Sequence, residues 1–425
     1  MIGCPVGNLV AHDGPVLTSV HEILDLTSSE VLIGGLEIIH SIEDQWRQLC
    51  EETNCEPFLT PEWIGTYIHA FEQQNEVVLV TSRVADRLTA VLPLVRKKGL
   101  FSGLPVVKLV GAANSHSVRF DILRAPGPEG DAAIKAIWRL LKHAPNWHLL
   151  EFPMFPAEGP CQRLMSYAVR DGFRTRTLPV CESPYLRIKT NGCGQMDWLG
   201  ETSRHFRHEL RRFARVLEAQ TGGPPRLVRM DHPAPKMLHR FFALEASGWK
   251  GKEGSAIQCR QETLTFYEEV ARFAAGAGQF CLHLLEAGGK VVAAAFSLET
   301  NDCYYAIKIA YDESFRRAGP GHLLINAILE ECARKRIREL DFGGSRERFK
   351  TSWTSAARQH FTGTVFNRDF YPFLLYQVRT NLLPALKQKY TSVLNRLRLR
   401  NGEGATNTSS QCGSSRKSFV GSNHG

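Results

Sequence analysis

The stretch Arg316-Arg317-Ala318-Gly319-Pro320-Gly321 decides the fold, because it stands between two predicted strands and a predicted amphipathic helix. Residues 291–298 and 303–309 are rich in β-branched and aromatic side chains, which predicts a hairpin of strands. After the loop, apolar side chains recur at helical spacing, at Ile325, Ile328, Leu329, Cys332 and Ala333. A strand, a basic loop with glycines and a helix start together present free backbone N–H groups to an anion. The sequence therefore predicts a loop suited to a pyrophosphate-bearing cofactor.

The residue types within the loop favour this interpretation. Gly319 and Gly321 have no Cβ atom, so the backbone can approach a phosphate closely and adopt positive φ. Pro320 lacks an N–H group and suits the first turn of a helix. Arg316 and Arg317 can add charge-assisted hydrogen bonds to an anion. On the sequence alone, a proline-glycine turn with two solvated arginines stays open as the alternative.

The spacing Arg316-x-x-Gly319-x-Gly321 resembles the Arg/Gln-x-x-Gly-x-Gly/Ala loop of the GNAT acyltransferases, which holds the pyrophosphate of acyl-CoA. The resemblance implies acetyl-CoA or another acyl-CoA as cosubstrate, with no metal. It also implies that the preceding strand, the loop and the helix start contact this cosubstrate, through Ile309, Arg316, Arg317, Gly319, Gly321 and His322.

Further segments resemble one branch of this superfamily, the CelD/BcsL-like proteins associated with bacterial cellulose and exopolysaccharide synthesis. In chain order they are Pro-Phe-Leu-Thr-Pro-Glu-Trp at 57–63, Glu-Ala-Ser-Gly-Trp-Lys at 245–250, Ala-Tyr-Asp at 310–312, Leu-Asp-Phe-Gly-Gly at 340–344, Phe349-Lys350 and Trp353. The resemblance covers roughly residues 40–380 and depends on the order and spacing of these segments. Phe349 departs from the pattern, because a tyrosine is expected before the lysine, and the expected hydroxyl group is missing there.

The order of predicted elements indicates two similar halves. In each half, helices come first, then a hairpin of strands, then a helix and a further strand, which is typical of an α/β (α+β) fold. The resemblance implies the same: tandem GNAT-like domains, each a mixed sheet flanked by helices, with the glycine loop only in the second. We expect a poorly ordered leader over 1–35, an N-terminal domain over 36–190 and an acyl-CoA-binding domain over 191–385. A basic helix and disordered tail are expected over 386–425.

Composition excludes several classes of protein. The chain has 425 residues, 43% of them hydrophobic and 22% charged, which is ordinary for a globular protein. No run of 18 apolar residues and no secretory signal occur, so we expect a cytoplasmic protein. The eleven cysteines form no CxxC pair, which disfavours a disulfide framework and a zinc cluster. The net charge of +9 includes a basic segment over 371–402 that could contact a membrane surface weakly, or only aid solubility.

Three residues are candidates for the chemistry of acyl transfer to an amine, which needs a base because a free alkyl ammonium has a pKa of roughly 10.4. Glu245 is the first choice as base, since it borders the apolar face of a predicted helix, although a solvated glutamate is equally compatible. Tyr305 is a candidate general acid near the thioester sulfur, and Asp341 ends a short strand near the expected acceptor. Backbone N–H groups of residues 307–310 are candidates to stabilise the oxyanion.

Acceptor binding is predicted at three further residues. Trp249 could stack on a sugar or nucleobase, Lys250 could pair with an acidic group, and Lys350 could bind a phosphate or carboxylate. Packing of Trp249 at a domain interface is an equally good reading. Four arginines share one side of the helix predicted over 202–220, namely Arg204, Arg207, Arg211 and Arg215. This ridge could attract a nucleotide-sugar, a glycan precursor or an RNA backbone, but a charged solvent face is its ordinary explanation.

The sequence thus predicts an acyl-CoA-dependent N-acyltransferase acting on an amino-sugar or small amine. The link to exopolysaccharide or cellulose synthesis, and to its machinery as a partner, follows from the resemblance alone. Two alternatives stay open: a Fem-type peptidyltransferase that uses aminoacyl-tRNA, and a catalytically degenerate scaffold in a synthase complex. No extended heptad segment for a tRNA-binding arm is present, so nucleic acid is not expected as a partner.

Overall fold

The structure, a computed structural model, describes residues 27–188, 202–300 and 302–383. Its first half contains helices α1 (Glu37–His40), α2 (Glu43–Thr53), α3 (Pro61–Phe71), α4 (Gly127–His143) and α5 (Pro160–Arg170). Its strands are β1 (Thr27–Gly34), β2 (Glu76–Val84), β3 (Arg87–Phe101), β4 (Leu104–Gly111), β5 (Leu123–Arg124), β6 (Leu149–Pro156) and β7 (Arg174–Arg187).

The second half repeats this order of elements. Its helices are α6 (Arg204–Thr221), α7 (Pro235–Ser247), α8 (Trp249–Lys252), α9 (Gln261–Gly276), α10 (Pro320–Arg334), α11 (Arg348–Thr351) and α12 (Phe370–Gln377). Its strands are β8 (Arg226–Met230), β9 (Phe280–Ala287), β10 (Lys290–Glu299), β11 (Cys303–Tyr311), β12 (Glu339–Asp341) and β13 (Ala357–Phe366). The predicted helix-hairpin-helix-strand order is therefore present in both halves.

All strands belong to one mixed sheet that runs through both halves. Its order is β1-β2-β3-β4-β6-β13-β7-β12-β11-β10-β9-β8, with β5 paired to β3. Strand β13, from the second half of the chain, lies between β6 and β7 of the first half. Strand β7 in turn pairs with β13 along most of its length and with β12 at its end. The halves therefore share their two central strands.

The predicted leader and the predicted domain boundary can each be compared with the strand pairing. The leader predicted over 1–35 is wrong for residues 27–34, because Thr27–Gly34 pair antiparallel with β2 from Val84 back to Val77 and form the edge strand β1. Residues 1–26 and the basic tail after residue 383 lie outside the described residues. The boundary near residue 190 stays a prediction, but the exchange of β13 means that the first half's sheet includes residues from beyond it.

The core is continuous between the halves on one face of the sheet. One hydrophobic cluster joins Trp63 and Tyr67 of α3 to Phe266 and Tyr267 of α9, and Trp63 meets Phe266 edge to face at 5.3 Å. Burying each such side chain stabilises the fold by about 2–3 kcal/mol. Helix α3 is capped by Thr60, whose hydroxyl accepts a hydrogen bond from the Trp63 N–H at 3.3 Å. None of the helices in the described ranges is long and apolar enough to cross a membrane.

Candidate active site

Strands β11 and β12 run side by side and then separate, leaving a wedge in the sheet. They pair in parallel over only three positions, from Cys303 with Glu339 to Tyr305 with Asp341. Strand β12 ends there, whereas β11 continues to Tyr311. On that side, the described residues provide no further strand to pair with residues 306–311. The wedge therefore exposes a length of strand edge beside the N-terminus of α10.

A β-bulge in β11 aims one lysine into this region. The pairing with β10 slips between Tyr305, opposite Leu298, and Lys308, opposite Phe296, so that two residues of β11 face one of β10. Tyr305 and Lys308 consequently lie on the same face: Tyr305 meets Phe58 edge to face at 5.2 Å, and the Lys308 ammonium lies 5.8 Å from the Tyr267 ring centre. Without the bulge, residues three apart would face opposite sides of the sheet.

The glycine loop lies at the start of α10, but its first glycine is covered. Gly319 has φ of +54°, and a Cβ atom there would lie 2.7 Å from the Phe213 ring of α6. Backbone conformation and packing therefore both require glycine at this position without any phosphate. A Cβ atom at Gly321 would lie 3.3 Å from the Phe349 ring, which is tight but open enough for close approach.

The remaining predicted cofactor contacts surround Gly321. Arg316 and Arg317 are exposed, and neither forms an ion pair within the described ranges. His322 is packed among aromatic rings, parallel to Phe213 at 5.9 Å and 4.7 Å from Phe349. Burial lowers the pKa of His322 to about 4, so its ring is neutral at pH 7. Its buried Nδ1 atom has no hydrogen-bond partner among the described residues. The unpaired arginines and the orphaned nitrogen fit a diphosphate at Gly321 and His322, while the Gly319 side of the loop does not. Ile309 lies on the free edge of β11.

Asp341 and Tyr305 come together, as directly paired residues at the end of the β11–β12 ladder. Asp341 is buried, contacts the Arg119 guanidinium of the first half, and accepts a hydrogen bond from the Gly343 N–H at 2.8 Å. Arg358 adds a further contact at 3.4 Å. Burial, followed by the nearby Glu56, raises the pKa of Tyr305. Both residues thus belong to a buried ionic network that joins the halves.

Glu245 lies away from that network, in the last turn of α7. It is buried, with 3% of its surface exposed. One carboxylate oxygen accepts a hydrogen bond from the Ile257 N–H at 2.9 Å, and the other lies 3.0 Å from the Lys250 ammonium. Burial lowers the pKa of Lys250, and Glu245 opposes this shift. The solvated-glutamate reading of Glu245 is therefore wrong, because the end of α7 packs against the segment that contains Ile257.

Lys350 is also buried, on the short helix α11. Its ammonium donates hydrogen bonds to the carbonyl oxygens of Gly343 at 2.8 Å and Ser345 at 3.3 Å. Burial lowers the pKa of Lys350. The backbone of Trp249 begins α8, next to Lys250; its side chain lies outside what the structure describes.

Sequence reasoning missed three polar residues that border the site: Lys308, Arg119 and His116. Lys308 carried a signal, since it is the one charged residue in the otherwise uncharged run 303–311. Arg119 and His116 lie in the irregular segment between β4 and β5, where no periodicity marks them. Only the fold brings His116 within 3.3 Å of the Tyr267 hydroxyl.

Two cavities of about 360 Å³ each lie elsewhere. One is between α7 and strands β9 and β10, lined by apolar side chains with Arg240 and Asp312 at its rim, and the other is between α1, α3 and α9. Neither includes a residue of the glycine loop. Among the described residues, no group of three histidine, cysteine or acidic side chains is placed to hold a metal.

Comparisons with known proteins agree with this geometry. The family model of the acetyltransferase (GNAT) domain matches residues 204–351. A crystal structure of FemX superimposes with a TM-score of 0.51 at 11% identity, covering 81% of this chain and 100% of FemX. The C-terminal domain of a putative lysylphosphatidylglycerol synthetase from Agrobacterium fabrum gives a TM-score of 0.46 at 10% identity, covering 80% of this chain and 96% of that domain. A tandem GNAT protein from the clavulanic acid biosynthesis pathway gives a TM-score of 0.42 at 14% identity, covering 80% of this chain and 98% of that protein. No curated protein sequence matches the chain.

Residues 204–351 are similar to the acetyltransferase (GNAT) domain that this family model describes. The likeness to FemX shows a shared fold, and the predicted α/β architecture of tandem GNAT-like halves is confirmed. The CelD/BcsL-like branch stays a prediction.

Proposed function

We propose that the second half of this chain transfers an acyl group from acyl-CoA, such as acetyl-CoA, to an amine. The observation that carries the proposal is the free edge of β11 beyond Tyr305, which lies beside the glycine loop at the start of α10. The match of residues 204–351 to the GNAT acetyltransferase domain supports the same activity.

Each part of the wedge has a role in this proposal. The Gly321 backbone, His322 Nδ1 and the side chains of Arg316 and Arg317 would hold the diphosphate of the coenzyme. When bound, the coenzyme supplies the activated acyl thioester. Backbone N–H groups of residues 307–310, on the free strand edge, are assigned to the thioester oxygen.

Proton removal from the acceptor amine is assigned to Glu245. Both of its oxygens already have a partner, but a carboxylate has about four acceptor positions, so capacity remains. The Ile257 N–H and the Lys250 ammonium hold the carboxylate in one orientation, which positions it for a bound amine. Tyr305 remains the proposed acid at the sulfur. Asp341 is proposed to position Arg119 and the Gly343 turn, since its contacts are all structural.

Calorimetric titration with acetyl-CoA tests the proposal. We expect micromolar binding to the full chain, weakened at least about tenfold in the double variant Arg316→Ala/Arg317→Ala. Arg226→Ala, which removes an exposed arginine of β8, is the matched control and should bind as the unaltered protein does. Absence of binding to acetyl-CoA and to longer acyl-CoAs contradicts the proposal and favours the scaffold alternative.

The Fem-type alternative has two observations in its favour. The fold matches that of FemX, and α6 presents exposed arginines, among them Arg204, Arg211 and Arg215. RNA-dependent retention of the protein, with no acyl-CoA binding, supports this alternative. An amino-sugar acceptor, a link to exopolysaccharide synthesis and a cytoplasmic location are predictions from the sequence. Mass spectrometry of products formed from candidate amino-sugars tests the first of them.

A further inference from the structure

Three lysines from three different elements lie beside the wedge, near enough for their charges to act on one another. Lys250 lies on α8, Lys308 follows the bulge of β11, and Lys350 lies on α11. The wall opposite comes from the first half, where His116 contacts Tyr267 and stacks on Phe71 at 5.7 Å. We call this space, between the halves and beside the free edge of β11, the lysine cleft.

The three ammonium groups differ in their partners. Lys250 has the Glu245 carboxylate at 3.0 Å. Lys350 has two backbone carbonyl oxygens and, at 3.5 Å, the carboxylate of Glu347. Lys308 is partly buried and has only the face of the Tyr267 ring; no carboxylate of the described residues lies within ion-pair distance. Among the three lysines, Lys308 is therefore the one without an ion-pair partner in the described residues.

Titratable groups near Lys308 come from four helices and from the first half of the chain. They are Glu245 of α7, Lys250 of α8, Arg260 and Tyr267 at α9, His116 of the first half, and Glu347 and Lys350 at α11. The two carboxylates already contact the other two lysines. Positive charge thus remains in excess after every ion pair is made.

Burial makes this excess unfavourable. It lowers the pKa of all three lysines, and the charge of Lys308 contributes to the shift of Lys250, as that of Lys250 does for Lys350. A bound anion would reverse these effects, because an opposite charge within about 4–6 Å favours the ammonium form. An apolar residue at position 308 would fill the space without any such penalty.

We propose that the amine acceptor carries an anionic group, a phosphate or a carboxylate, that binds Lys308 in the lysine cleft. Lys250 and Lys350 flank the anion. That the anion belongs to an acceptor amine rests on the proposed acyl transfer. The anion site itself does not depend on that proposal. Such an anion site would select, among small amines, those that carry a phosphate or a carboxylate.

Lysine side-chain NMR tests the anion site without any coenzyme. In the full chain labelled with ¹³C-lysine, inorganic phosphate and acetate are titrated separately, and the Cε resonance of Lys308 is assigned by its loss in Lys308→Gln. We expect the resonance to saturate with at least one anion and the pKa of Lys308 to rise. Affinity should be highest at low pH and fall as pH rises through the lowered pKa of the free site. If only one of the two titrations saturates, it shows whether the site prefers a phosphate or a carboxylate.

Variants separate this site from general attraction to a basic protein. Lys308→Gln should weaken phosphate or acetate binding at least about tenfold, whereas Lys308→Arg retains it. Lys290→Gln, at an exposed lysine that begins β10, should change nothing. Equal responses of Lys308 and Lys290, or no saturation with either anion at 100 mM in folded protein, would overturn the proposal.

One control decides whether the anion in the lysine cleft belongs to the acceptor or to the coenzyme. Saturating acetyl-CoA should leave the anion-dependent shift of Lys308 in place. Displacement of the anion would assign Lys308 to the coenzyme and overturn the acceptor assignment. If acetyl-CoA does not bind but Lys308 still saturates, the proposed acyl transfer fails and the anion site stands, so the two failures are distinguishable.

Discussion

The two halves contain the same parallel strand pair, but among the described residues only β11 continues beyond its pairing as a free strand edge. In the first half, β4 pairs with β6 at positions 108–110 and ends one residue later, at Gly111. In the second half, β11 pairs with β12 at 303–305 and then continues to Tyr311. A difference in where the pairing falls along the strand therefore decides whether a free edge exists.

Side chains reinforce this difference. At the end of β4, the Phe120 ring lies where a Cβ atom on Gly111 would come within 2.6 Å, and Phe120 is buried against Phe152 at 6.4 Å. In the second half, Lys308 follows the end of the strand pairing and lies against the Tyr267 ring, on the side of the sheet that packs against α9. The first wedge is part of the core, whereas the second collects polar groups whose burial is unfavourable. Function is thus to be sought in the second wedge.

Opening the first wedge should have the largest effect. Phe120→Ala removes a buried ring and leaves a cavity, which should lower the free energy of unfolding by about 3–5 kcal/mol in urea denaturation. The matched change in the second wedge, Lys308→Met, removes an unmatched charge and should leave stability within about 1 kcal/mol or raise it. Similar losses from both would show that the second wedge is core as well.

Glu245→Gln removes the proposed base from the second wedge while preserving its packing. The glutamine oxygen can still accept from the Ile257 N–H, so stability should change little. We expect kcat for acetyl transfer to fall about 100-fold or more, with acetyl-CoA binding unchanged. Glu262→Gln, at an exposed carboxylate in the first turn of α9, is the control and should retain kcat. Full activity in Glu245→Gln would contradict the assignment of the base.

The glycines at the starts of the two equivalent helices should differ in their tolerance of alanine. Gly127, the first residue of α4, has φ of +68° and open space around its missing Cβ atom, whereas Gly319, just before α10, has φ of +54° and Phe213 in that space. Gly127→Ala should cost about 1 kcal/mol from backbone strain alone, and Gly319→Ala about 2 kcal/mol. In a Phe213→Ala background, Gly319→Ala should cost less free energy of unfolding than it does in the unaltered protein, because the ring that the new Cβ atom meets is gone. Equal costs at both glycines in thermal denaturation would mean that Phe213 moves aside freely.

The first half carries its own buried carboxylate, and it affects stability instead of chemistry. Asp121 accepts hydrogen bonds from the N–H groups of Cys161 at 2.7 Å and Ile122 at 2.9 Å, yet burial raises its pKa to about 7. The folded state thus holds a proton that the unfolded state has lost above pH 4. Stability should therefore fall by about 1 kcal/mol between pH 6 and 8. Asp121→Asn should abolish that fall in urea denaturation, and an unchanged slope would place the titration elsewhere.

Most of the fold could be predicted from sequence because its elements have strong periodicity and clear ends. Pro235 and Gly248 bound α7, and the apolar stripe of α10 identified that helix. Strands β7 and β13 were not predicted, since β7 exposes many residues and neither strand alternates cleanly between buried and exposed positions. Their exchange depends on contacts between residues nearly 180 positions apart, such as Gln359 with the Cys181 carbonyl, which no local pattern encodes.

The candidate site was predicted in part for a similar reason. The loop 316–321 and Lys350 have local signals, and both border the wedge. The sequence could not reveal that Phe213 covers Gly319, because α6 lies a hundred residues earlier in the chain. Nor could it place Lys308 on the face of Tyr305, because that placement results from a bulge in the pairing with β10.

The shared central strands have a consequence for how the protein is made. Until residues 357–366 leave the ribosome, β6 and β7 have no partner between them and present bare strand edges. The first half cannot complete its folding while the second is being synthesised, although domains generally fold one after another from the N-terminus. Newly made chains should therefore depend on chaperones that cover exposed edges, and a fragment cut near residue 190 should aggregate.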